Sequence, residues 1–139
     1  MPRSTVLASL AFAAALTASA CGDDGPDPPS NPTTPVAVTQ TFEGRLNPNG
    51  GRTHEFAAER AGDIIASLTS LVPNSEVVIG LGIGTWNGVS CSVTIANDNA
   101  KLNVSIVGSA TGTGAFCVRV FDVGNLTGSI DYTVTVQHY

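Results

Sequence analysis

Charge is scarce in this chain: charged residues make up 12% of 139, with six Lys and Arg against eleven Asp and Glu, a formal charge of −5. Nothing in that balance attracts nucleic acid or an anionic lipid surface. Histidine occurs only at His54 and His138, and neither HExxH nor GxSxG is present, so the common metalloprotease and serine-hydrolase signatures are missing. We therefore expect a non-catalytic protein. No apolar run reaches the roughly 20 residues that a stable membrane-spanning helix needs. The domain sequence also lacks helical periodicity. Tryptophan occurs once, at Trp86, so the surroundings of that residue bear heavily on any stacking interaction.

The N-terminus is distinctive. Arg3 precedes a short apolar segment, Val6 to Thr17, with the proportions of a signal-peptide core. Ala18, Ser19 and Ala20 then lead into Cys21. The arrangement resembles the bacterial lipobox, with Ala18 where Leu is usual, and implies that residues 1–20 are a signal peptide and that Cys21 is lipidated as the mature N-terminus. Ordinary secretory cleavage after Ala20 is the alternative. Gly22 follows the cysteine where an inner-membrane retention signal has Asp, which points to the outer membrane of a bacterial cell envelope. Residues 21–35 continue as a tether: GDDGPDPPSNPTTP contains five prolines and three acids and buries too little to offset its ordering entropy.

From residue 36 to 139, Gly and Asn clusters punctuate the chain at the spacing of short strands. Strands are expected near 38–46, 52–58, 63–71, 76–85, 89–96, 101–107, 115–122 and 130–138. Eight such strands imply an all-β fold, an antiparallel jelly-roll-like β-sandwich. Alternation is clearest at Ile130, Tyr132, Val134 and Val136 against Asp131, Thr133, Thr135 and Gln137. Leu102, Val104 and Ile106 alternate in the same way with Lys101, Asn103 and Ser105.

A hairpin is expected around TWNG, residues 85–88. A two-residue turn at Asn87-Gly88 would set Ile79, Leu81 and Ile83 against polar partners. A three-residue loop with Gly88 left-handed instead pairs Ile83 with Cys91, Leu81 with Val93 and Ile79 with Ile95. That register places Trp86 at a loop tip and leaves Gly80, Gly82 and Gly84 on a flat outer face with Ser90, Ser92 and Thr94.

Setting Cys21 aside leaves Cys91 and Cys117. In an exported chain an even pair is expected to be bridged. The strand pattern raises a conflict, since it points Cys117 outward with Arg119 while the hairpin register points Cys91 inward. Either a bulge reconciles them or one assigned face is wrong.

The segments FEGRL, GGRTHEFAAERAGDIIASLTSL, EVVIGLGIG, GTGAFCVRVFDVG and DYTVTVQHY, in that order, resemble the bacterial pre-peptidase C-terminal (PPC) type domain over nearly all of residues 40–138. The resemblance implies a jelly-roll-like sandwich of the kind attached to secreted peptidases as an accessory domain, some relatives of which bind calcium or extracellular polymers. No peptidase signature occurs within these 139 residues. His54 falls where the family often has an aromatic, and neither Cys91 nor Cys117 belongs to its general pattern.

Candidate site residues are few. Trp86, with Asn87 beside it, is the candidate for stacking on a sugar or packing into a partner, unless it folds back over the sandwich rim. Asn97, Asp98 and Asn99 gather oxygen ligands that could serve calcium, although Asx residues are also the usual turn formers. Asp63, Asp122 and Asp131 could add to such a site only if the fold gathers them, and Asp122 reads as a turn acceptor. His54 alternates with Phe56 and reads as a packed core residue, and His138 as a solvated or capping residue near the chain end. GLGIG, residues 80–84, lies within a strand and is no dinucleotide fingerprint. The sequons at Asn103 and Asn125 read as chance. Two functions are expected: an envelope lipoprotein binding a glycan, peptide or envelope protein, or a structural or calcium-dependent accessory module beside a secreted peptidase or other envelope protein.

Overall fold

The computed structural model describes residues 34–139. The expected signal peptide, Cys21 and the tether up to residue 33 lie outside the described residues. Eight strands follow: β1 (Val38–Leu46), β2 (Gly51–Ala58), β3 (Gly62–Val72), β4 (Ile79–Trp86), β5 (Cys91–Ala100), β6 (Ser105–Ala110), β7 (Gly114–Phe121) and β8 (Ile130–His138). They form two antiparallel four-stranded sheets, sheet A in the order β1-β8-β3-β6 and sheet B in the order β2-β7-β4-β5. This is jelly-roll order: of the successive connections, only β4 to β5 stays within one sheet.

The core follows from alternation. Ile130, Tyr132, Val134 and Val136 point inward from β8, as expected, and meet Val118 and Val120 of β7 and Leu81 and Ile83 of β4 in one cluster. Where the apolar period breaks, the backbone corrects it. In β3 the inward set is Ile64, Ala66 and Leu68, and the next core residue is Leu71, three positions on. A bulge between Leu68 and Ser70 absorbs the extra residue, and the Thr69 hydroxyl donates to the Thr133 carbonyl at 3.2 Å.

Three expected strands differ in extent by more than one residue: 76–85 is β4 from Ile79 to Trp86, 89–96 is β5 from Cys91 to Ala100, and 101–107 starts late. Residues 101–104 form a turn, with Asn103 at φ 68°, and β6 begins only at Ser105. Leu102 and Val104 still pack on the core, so their alternation reflects burial without belonging to a strand.

The hairpin register also differs. Trp86 lies opposite Cys91, Thr85 opposite Ser92 and Gly84 opposite Val93 around a four-residue loop, Asn87 to Ser90. The Asn87 side-chain oxygen accepts the N–H groups of Val89 (2.9 Å) and Ser90 (2.8 Å), and Gly88 takes φ 91°. That side-chain cap favours the longer loop over a three-residue one. The register then slips by one between Ile83 and Gly84, so Ile95 turns inward opposite Ile83. Cys91 and Val93 therefore point outward with Trp86 and Gly84, not inward as the three-residue loop required.

Candidate functional site

The outward faces of the two sheets have different chemistry. Across sheet A, Thr41, Thr135, Ser67 and Ser105 fall in one row, and the last two hydroxyls hydrogen-bond at 2.7 Å. The neighbouring row holds Glu43, Thr133 and Ser70, and the next the exposed Arg45–Asp131 ion pair at 2.8 Å. Among the described residues, this hydroxyl-rich face carries no aromatic side chain.

Sheet B differs. Opposite Gly80, Gly82 and Gly84 of β4 stand Phe121, Arg119 and Cys117 of β7, and beyond those Gly51, Thr53 and Glu55 of β2. A side chain at Gly80 would collide with the Phe121 ring, one at Gly82 with Val93, and one at Gly84 with the Ser92 carbonyl. The glycine face expected to be bare is therefore covered, and β4 is buried on both sides from Ile79 to Gly84.

Gly84 makes the cysteine pairing possible. Strands β5 and β7 flank β4, and strands two apart in a sheet are separated by roughly 9.5 Å. Cys91 and Cys117 nevertheless have Cα atoms 5.8 Å apart and are joined by a disulfide. The start of β5 leans over the outer side of β4, its Ser92–Val93 backbone resting on the Gly84 Cα where any Cβ would intrude. The bridge brackets β4. Both sulfurs are on the outer side, and this resolves the conflict between the assigned faces.

Trp86 is not at a loop tip. It ends β4, partly buried, and lines a shallow cleft of about 310 Å³ with Gln40, Glu55, Phe56, Ala57 and Ala115. Asn87 is occupied as the acceptor of the following loop. At the far end of the same face, the Arg119 guanidinium lies 5.8 Å from the centre of the Phe121 ring and, among the described residues, makes no ion pair. Trp86 and Gly80, whose partner is Phe121, are six residues apart on β4, about 20 Å at strand rise.

Between the sheets, the His54 Nε2 and the Tyr132 hydroxyl are 2.8 Å apart, and the imidazole stacks on Phe42 at 5.0 Å. Burial, and then the neighbouring Arg52, push the His54 pKa down. Burial raises that of Tyr132 to about 12. A neutral imidazole and a neutral phenol thus share this bond, and His54 is a packed residue. His138 is not solvated: it is 3% exposed, 5.2 Å from the Phe56 ring, and neither ring nitrogen has a hydrogen-bond partner among the described residues.

Asn97, Asp98 and Asn99 lie within β5 instead of a turn. The Asn97 side-chain oxygen accepts the Asn99 N–H at 2.9 Å. Asp122 accepts four backbone N–H groups, from Asn49, Gly124, Asn125 and Leu126. Burial opposes its ionisation, but these donors outweigh burial and hold its pKa below the ordinary carboxylate value, so Asp122 is a turn acceptor. Asp131 is engaged by Arg45. Among the described residues, no three His, Cys, Asp or Glu side chains converge.

Set against family models and curated proteins, the chain matches none.

Proposed function

We propose that this chain is a non-catalytic binding protein of the bacterial cell envelope, anchored through a lipidated Cys21 and using the outer face of sheet B to hold an extended polymer, foremost a glycan. The observation that carries this reading is the placement of Trp86 and Phe121 at the two ends of one face, with the Arg119 guanidinium beside Phe121 and in no ion pair among the described residues. Aromatic rings offer large, rigid contact area with little side-chain entropy to lose, and a guanidinium donates to ring or carboxylate oxygens. The hydroxyl face of sheet A lacks such platforms. The PPC-type resemblance fits this reading, as an accessory sandwich working beside another exported protein.

The test is binding of the mature protein to arrays of bacterial and extracellular glycans. Wild type is expected to bind at least one linear glycan class, and Trp86→Ala and Phe121→Ala each to weaken it by about tenfold, in line with loss of one aromatic anchor. Failure of wild type to bind any sugar would sink the glycan assignment.

A further inference from the structure

The two ends of the sheet B face carry opposite charge. Among the described residues, the cleft at Trp86 has one ionisable side chain in its lining, the Glu55 carboxylate, and the Gln40 amide joins it there. A second shallow cleft, of about 250 Å³, is lined by Val93, Arg119 and Phe121, and its ionisable group is the Arg119 guanidinium. Glu55 and Arg119 sit on the paired strands β2 and β7, yet among the described residues neither forms an ion pair.

Packing keeps these charges apart. Thr53 stands directly opposite Arg119, and Glu55 lies one row nearer Trp86, opposite Cys117. The guanidinium leans the other way. Its centre is 5.8 Å from that of the Phe121 ring, and a Cβ on Gly51, the residue opposite Phe121, would lie 3.4 Å from Nη2 and 3.5 Å from Nε. The bare Gly51 backbone thus makes room for the guanidinium, and the Phe121 ring flanks it. Trp86 and Gly82, the β4 residue opposite Arg119, are four residues apart, about 13 Å at strand rise.

Building on the glycan reading above, we propose that the ligand is an acidic glycan, with a carboxylate-bearing sugar at Arg119 and Phe121 and an uncharged sugar on Trp86. Charge complementarity argues for this occupant. A guanidinium can give a carboxylate two parallel N–H bonds, each stronger than a bond to a neutral hydroxyl. The Phe121 ring and Val93 offer apolar contact to the ring of the same sugar. At the other end the Glu55 carboxylate accepts from sugar hydroxyls and repels a second acid, while the Gln40 amide can both donate and accept. The face therefore sorts sugars by position. It favours polymers that mix acidic with uncharged sugars over those with an acid on every sugar.

The experiment is a calorimetric titration of the mature protein with oligosaccharides that differ in charge on a constant backbone: oligogalacturonates unesterified, half methyl-esterified and fully esterified, and hyaluronan fragments with their methyl ester. On at least one backbone, wild type is expected to bind the mixed form, half-esterified galacturonate or hyaluronan, about tenfold more tightly than the full ester, with the difference shrinking at high salt. Arg119→Gln is expected to abolish that preference and leave the affinity for the ester unchanged, whereas Trp86→Ala weakens both. Glu55→Gln is expected to raise affinity for the unesterified oligogalacturonate about threefold. Equal binding of acid and ester by wild type, a preference that survives Arg119→Gln, or poly-glutamate bound as tightly as the acidic sugars would each overturn the acidic-sugar assignment while uncharged glycans still bound through Trp86 left the broader reading standing. Failure to bind any saccharide, here or on the arrays, would overturn both.

Discussion

His54 and Tyr132 both stay neutral between the sheets, and the fold should respond to pH at both ends because of it. Burial and Arg52 lower the His54 pKa, so at pH values below the ordinary 6.5 the unfolded chain takes up a proton that the folded chain resists. The contribution of this residue is fully present above that value and is lost as pH falls through the lowered folded pKa. For Tyr132 the direction reverses: a folded pKa of about 12 against 10.0 means the contribution is intact below 10.0 and lost as pH rises towards 12. The melting temperature should therefore fall from pH 7 to 5 and again above about pH 10. His54→Phe should flatten the acid limb and Tyr132→Phe the alkaline one. A His54→Phe variant with the wild-type acid slope would refute the assignment. Tyr132→Phe should also cost about 1 kcal/mol at neutral pH through the lost hydrogen bond. The packed His54 was legible from its alternation with Phe56. The buried state of His138 was legible as well, since the period of Ile130, Tyr132, Val134 and Val136 extends to it; nearness to the chain end was the weaker guide.

At the level of elements, Gly84 and the bracket stand together. A disulfide closing a loop of about 25 residues is worth roughly 3 kcal/mol on the chain-entropy model. Replacing both Cys91 and Cys117 by Ser should lower the melting temperature by roughly 10–25 °C in a domain of this size. Gly84→Ala should approach the same loss, because its Cβ would displace the Ser92 carbonyl and lift Cys91 from Cys117. Thiol titration of the unfolded, unreduced variant should then find both cysteines reactive; a wild-type melting curve for Gly84→Ala would show that β5 does not depend on this contact. The strands β1 and β8 were legible to the residue, since uninterrupted alternation fixes both ends. The β4–β5 hairpin was not. Its loop length depends on which N–H groups Asn87 accepts, and the bulge at Thr94 reverses the facing of Cys91 and Val93 relative to Ile95. A one-residue slip exchanges the two faces of a strand, and an apolar pattern containing Cys, Val and Ile in alternate positions does not reveal where the slip occurs.

For the molecule as a whole, the jelly roll sends almost every connection across from one sheet to the other, so most strand pairs join residues distant in sequence. The sandwich itself was legible from eight short alternating segments, whereas the contrast between its outer faces depends on pairings that only the fold supplies. Non-local pairing of this kind makes folding slow, on the order of milliseconds to seconds. The bracket adds a constraint on the order of assembly. The covalent ring runs from Cys91 to Cys117 and contains β5, β6 and the first half of β7, while β4, at residues 79–86, lies outside the ring and beneath its bond. In an already oxidised chain the outer approach to that slot is barred, and β4 must enter from the side that sheet A later covers. Pulse-labelled hydrogen exchange during refolding of the oxidised protein should show β4 amides protected no later than those of β3 and β8. Earlier protection of β8 would contradict this order. The bond that closes the outer face thus also sets a sequence of events, in which sheet B must be complete before the sandwich can shut.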